Sequence, residues 1–130
     1  MRKVKKIILP ILFATGWISI SEFIRNEFLL KSYWTNHYQK LGLVFPAEPL
    51  NGAIWGVWSA CFAISIYIIA QKFTFLQTVL LSWFVGFLFM WLVIGNLGVL
   101  PFSILPFALP LSLLEVLLAV FIIKKTSNYN

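Results

Sequence analysis

The chain has 130 residues, of which 61% are hydrophobic and 11% charged, and its net charge is +6. An ordinary soluble domain is roughly 45–50% apolar and about 25% charged, and a water-soluble fold of this length exposes too much surface to hide the surplus. A soluble globular domain is therefore excluded; with no aspartate and one cysteine, Cys61, so are Asp-based acid–base pairs, most hard-metal sites and an intramolecular disulfide.

The first apolar run begins at Ile7, behind Arg2, Lys3, Lys5 and Lys6. Basic residues that flank apolar runs are the signature of cytoplasmic anchoring rather than of nucleic-acid binding. A spanning helix needs about 20 apolar residues, and lipid leaves no partner for an unpaired backbone, so the run is predicted helical. The first span is predicted over residues 7–29, with Glu22 and Arg25 near the headgroup level. Glu22 and Arg25 lie three apart and Glu27 and Lys31 four apart, so each pair can meet on one helix face. A cleaved signal peptide is the rival reading, but bulky Trp17 and Ile18 leave no small-x-small site after Ala14.

Residues 31–49 form the one sizeable connection, predicted outside the membrane. Tyr33, Trp34, His37 and Tyr38 are suited to the headgroup zone. Phe23, Leu30, Trp34, Tyr38 and Leu41 recur at near-helical spacing, so the helix is expected to continue, or to bend along the surface, until Gly42. The segment reads as an interfacial anchor or as a lid over a ligand. Glu22, Arg25 and His37 make up a predicted polar cluster at this interface.

The remaining spans are predicted over 51–70, 75–96 and 105–123. Gln71 and Lys72 mark one turn, and Gly98 and Pro101 break the chain before the last span. The expected fold is thus all-α: a single polytopic membrane domain over 1–130, built as a four-transmembrane-helix bundle. With the N-terminus inside, the cytoplasmic side collects Arg2, Lys3, Lys5, Lys6, Lys72, Lys124 and Lys125 and leaves Arg25, Lys31 and Lys40 outside. That bias predicts cytoplasmic termini.

Small residues predict the packing faces, because helices associate in lipid through close approach. Gly52, Gly56 and Ala60 repeat at four-residue intervals in the second span. Thr78, Ser82 and Gly86 do so in the third, and Ala108, Ser112, Glu115 and Ala119 line one stripe of the fourth. Such stripes serve as seams within the chain or as a dimer interface. Trp55, Trp58 and Trp91, each with an indole N–H to satisfy, can line a cavity or simply pack.

Glu115 is the costly residue. Its charged form at mid-membrane costs roughly 2.5–3.5 kcal/mol on insertion scales. A neutral side chain is expected there unless a cation lies close, and Arg25 qualifies if it reaches down. Glu115 reads either as a proton or cation site, with Trp91, Trp55 and Trp58 around it, or as a hydrogen-bonded strut between helices.

Four short spans and an intramembrane glutamate resemble the small multidrug-resistance transporters in architecture. That family places its glutamate in the first span, so its substrate does not carry over. The stretch Phe28-Leu29-Leu30-Lys31-Ser32-Tyr33-Trp34 to Leu41-Gly42-Leu43 resembles small four-span bacterial membrane proteins of no assigned activity. That resemblance implies architecture and location alone, the location being a bacterial cytoplasmic membrane.

No nucleophile–base set, metal-ligand cluster or phosphate loop is present in the sequence, so neither enzyme activity, a metal nor a cofactor is expected. Lipid chemistry by Glu22, Arg25 and His37 is the residual enzymatic reading. The leading expectation is an integral membrane protein acting as an accessory or assembly component. Its partners would be membrane lipids, with a homo-oligomer or a membrane-protein partner left open. The alternative is a small proton-linked transporter that uses Glu115.

Overall fold

The computed structural model describes residues 1–127, and the described chain is helical, without a strand. Helix α1 spans Arg2–Phe23 and runs on without a break into a π-helical segment, Ile24–Leu29. The chain bends at Leu30 into α2, Lys31–Lys40, and Gly42 turns it back with φ +73°. A non-glycine residue would be strained there. Helix α3 covers Pro49–Ala70. Helix α4, Phe75–Trp83, passes through a second π-helical segment, Phe84–Leu88, into α5, Phe89–Asn96. A 3-10 turn, Phe102–Ile104, leads into α6, Leu105–Ser127.

Four helices are therefore long and apolar enough to cross a membrane: Arg2–Leu29, Pro49–Ala70, Phe75–Asn96 and Phe102–Ser127. They form a four-helix bundle. The first and last exceed the spans expected from hydropathy, because a helix does not stop where its apolar stretch stops. Lysines continue the coil beyond both, and Thr126 and Ser127 donate back to the carbonyls of Ile122 and Ile123. The starts of the middle helices are encoded locally. Pro49 occupies the first turn of α3, where Asn51 Oδ1 accepts the Glu48 N–H at 3.0 Å. Thr74 and Gln77 form a reciprocal capping box on α4.

Helix α6 is the centre of the bundle and packs against α1, α3 and α4. Its buried stripe is Ala108, Ser112, Glu115, Val116, Ala119, Val120 and Ile123. At one end, which we call the turn end, Lys124 Nζ donates to the Phe73 carbonyl at 2.9 Å. Small and branched residues fill the interior here: Ala14 on α1, Ala63 and Ile66 on α3, and Ala119 and Val120 on α6 are all fully buried. At the other, the α2 end, a His37 Nε2 contact of 2.7 Å with the Gly98 carbonyl ties α2 to the loop after α5.

Small residues divide sharply in their use. Gly86 is a contact point: a Cβ there would lie 2.3 Å from the Phe62 ring, so only glycine admits that ring. Ser82, Ala108 and Ser112 are buried between helices. Gly52 and Gly56 are not. Nothing lies within 4 Å of a Cβ built on either, and Ala60 is half-buried. The α3 seam uses Ser59, Phe62, Ala63 and Ile66 instead. The glycine stripe predicted to pack is the adjacent face, rotated out of the bundle. Four-residue spacing identifies a face without saying which way it turns.

Candidate functional site

The cluster at the α2 end begins with helical periodicity. Glu22 and Arg25 share one side of the first span, and Arg25 Nη2 reaches Glu22 Oε1 at 2.5 Å. The π-helical segment then widens the turn, with the Leu30 N–H bonding five residues back to the Arg25 carbonyl at 2.8 Å. In consequence the adjacent residues Arg25 and Asn26 are both buried. Asn26 Nδ2 donates to Glu22 Oε2 at 3.1 Å, and Trp34 Nε1 on α2 donates to Asn26 Oδ1 at 3.1 Å.

Arg25 also extends across to α6, where Nη1 lies 3.5 Å from Glu115 Oε1. That distance is long for a hydrogen bond but close for an ion pair. The guanidinium lies over the Phe87 ring, 5.1 Å from its centroid. Phe87 belongs to the second π-helical segment, so the two widened turns face each other through this cation–π contact. Glu22, Arg25 and Glu115 are at most 6% exposed. One guanidinium thus serves two buried carboxylates, while Glu115 Oε2 is buried without a hydrogen-bond partner. The Glu115 backbone is held as well, because Trp17 Nε1 donates to its carbonyl at 2.9 Å. Three residues earlier on α6, Ser112 Oγ accepts from Trp83 Nε1 at 2.8 Å.

Two clefts open beside the cluster. The larger, about 440 Å³, runs between α1 and α3 and is lined by Glu22, Asn26, Glu27, Glu48, Gly52, Trp55 and Gly56 among others. The smaller, about 260 Å³, is lined by Glu22, Arg25, Trp34, Tyr38, Trp55 and Trp91 among others. They share Glu22, Asn26, Phe45, Pro46, Asn51 and Trp55. The open glycine face of α3 is what gives the larger cleft its width.

The structure thus joins residues whose contact the sequence left open and separates others that it grouped. Glu115 and the Glu22–Arg25 pair form one site, through the long reach of Arg25. His37 leaves the predicted polar cluster and bonds to the Gly98 carbonyl, because α2 turns away from the axis of α1 at Leu30. Of the predicted tryptophans, Trp55 and Trp91 line the smaller cleft. Trp58 does not line either cleft and instead stacks on Phe62, with ring centroids 5.0 Å apart.

Asn26, Phe45 and Phe87 were missed by sequence reasoning. Asn26 carried one usable signal, a polar residue next to Arg25 within the predicted first span, but the π-helical turn that buries both has no clear sequence mark. Glu27 and Lys31, expected to pair, lie 3.6 Å apart at the surface. Among the described residues no group of His, Cys, Asp or Glu side chains is arranged to hold a metal ion. Comparison of the chain with protein-family models, with curated proteins and with solved structures gives no match.

Proposed function

We propose that the protein is a small proton-linked transporter of the bacterial cytoplasmic membrane, with both termini cytoplasmic and the α2 end facing outward. One observation carries the reading. Glu115, fully buried on the central helix, shares the single guanidinium of Arg25 with Glu22 and has an oxygen without a partner. With both carboxylates ionised the cluster holds one uncompensated negative charge in a low-dielectric setting. A proton cancels that charge, and so does a cationic ligand, so each weakens the hold on the other. That competition is the elementary requirement for coupling. The clefts that Glu22 lines lie beside the cluster, and on this reading they are its route to the outer side. The lysines at the turn end support the assignment of that end to the cytoplasm.

The test is proton flux in proteoliposomes under an imposed pH gradient, followed with an enclosed pH-sensitive dye. The wild-type protein is expected to dissipate the gradient, and Glu115→Gln to assemble normally yet lose at least about tenfold of the rate. Equal flux through the two proteins sinks the proposal.

A second reading, an accessory or assembly component, is favoured by the open face of Gly52 and Gly56. Its four-residue spacing suits the close approach of another helix, from a second copy or another membrane protein. On that reading the charged cluster is a strut. Gly56→Leu would then abolish co-purification of the partner or the dimer while leaving the bundle folded.

A further inference from the structure

We infer that the two joined clefts form one binding site for an organic ammonium, a positively charged nitrogen that carries apolar substituents. The inference names the ligand class of the site assigned above to proton coupling, and rests on that reading only for the coupling, not for the binding.

Aromatic rings supply the first argument. Trp34, Tyr38, Phe45, Trp55 and Trp91 all line the smaller cleft. The first three are mutually packed, with Trp34 and Phe45 centroids 5.7 Å apart and Tyr38 edge-on to Phe45 at 5.2 Å. Ring faces attract cations, and grouped aromatic walls are the usual way of holding a nitrogen whose substituents leave few hydrogen bonds to offer.

Charge supplies the second. The chain carries +6 overall, yet all its acidic residues are at this site: Glu22, Glu27 and Glu48 line the larger cleft, and Glu115 stands behind Arg25. No lysine or arginine lines the larger cleft. Arg25 lines the smaller one, but both of its terminal nitrogens are turned to carboxylates. An anion would therefore meet acidic walls and a cation already engaged.

Accepting capacity on the cleft wall supplies the third. Glu22 and Glu115 share the one guanidinium of Arg25, and Glu22 stands at the wall of both clefts. Glu22 itself has two contacts, to Arg25 and Asn26, out of about four acceptor positions. A compact metal ion would demand several oxygens at about 2.0–2.6 Å and would leave the rings unused. The cleft volumes, about 440 and 260 Å³, suit a small organic molecule, for which pockets run roughly 300–1,000 Å³. The same head group has two sources, a free amine or the amine head of a phospholipid entering sideways past Gly52.

The full chain, purified in dodecyl maltoside, is titrated with benzyltrimethylammonium and with neopentylbenzene, its uncharged isostere, by calorimetry and with no gradient present. The charged probe is expected to bind at least about tenfold more tightly. Trp55→Leu, at a half-exposed position, is expected to lower the affinity about tenfold, and Trp55→Phe to lower it less. Displacement by added phosphatidylethanolamine but not phosphatidylglycerol assigns the ammonium to a lipid head. Binding undisturbed by either lipid assigns it to a free amine. Equal binding of the isostere, or undiminished binding by a Trp55→Leu protein that melts like wild type, overturns the inference. Loss of ammonium binding with proton flux intact defeats this inference alone, whereas binding without Glu115-dependent flux defeats the transport reading alone.

Discussion

The two ends of the bundle are built on opposite principles. At the turn end, alanines and branched residues close the space between α1, α3 and α6, and the helices are regular. At the α2 end, the helices carry π-helical segments, a buried ion triad and tryptophans, of which Trp17, Trp34 and Trp83 donate their N–H groups to partners. Lipid offers little hydrophobic drive to either end. The first coheres through close apolar contact and the second through polar groups that cannot be left unpaired in hydrocarbon. A region held by close contact has little room to hold anything else. A region held by polar groups keeps clefts, and its stability depends on charge.

That contrast can be broken most directly at Arg25. Arg25→Leu leaves two buried carboxylates facing each other with no cation, and a loss of about 3–5 kcal/mol is expected. Unfolding in detergent measures it. The double change Arg25→Leu with Glu115→Gln should recover part of the loss, since one of the opposed charges is gone. Equal stability of the single and double variants would remove the ion triad from the account of this end.

Glycine substitutions sharpen the comparison at intermediate size. Gly86→Ala drives a Cβ into the Phe62 ring and should cost about 1–3 kcal/mol. Gly52→Ala, on an open helix face, should leave stability unchanged or raise it by about 0.5–1 kcal/mol. Thermal melts of the two proteins side by side decide it, and a Gly52→Ala penalty as large as that of Gly86→Ala would show the open face to be covered.

A smaller effect is expected at Ser112. Ser112→Ala removes the acceptor of the Trp83 N–H, and interhelical hydrogen bonds in membranes contribute about 0.6 kcal/mol on average. The Trp83→Phe variant should cost a similar amount, and the double variant little more than either. Additive losses would mean that the two side chains act separately.

Least of all should change at His37. Its bond to the Gly98 carbonyl lies at the exposed α2 end, so His37→Ala is expected to cost no more than about 1 kcal/mol and to leave flux at the wild-type rate. Loss of flux in a stable His37→Ala protein would return this residue to the polar cluster.

Sequence by itself determined the number of spans, their approximate limits, the turns at Gln71 and Gly98, and the expense of Glu115. Each follows from a one-dimensional quantity: the length of an apolar run against the thickness of a bilayer, a proline or glycine that ends a helix, a charge where water is absent. Tertiary structure alone decided that Arg25 answers Glu115 across 90 positions of chain, that Gly52 and Gly56 turn outward, and that His37 is carried off by the bend at Leu30. These depend on the rotation of each helix about its own axis and on the two widened turns that alter that rotation partway. Apolar residues on nearly every face of these helices leave rotation without a sequence signal, so it is set only when the helices pack.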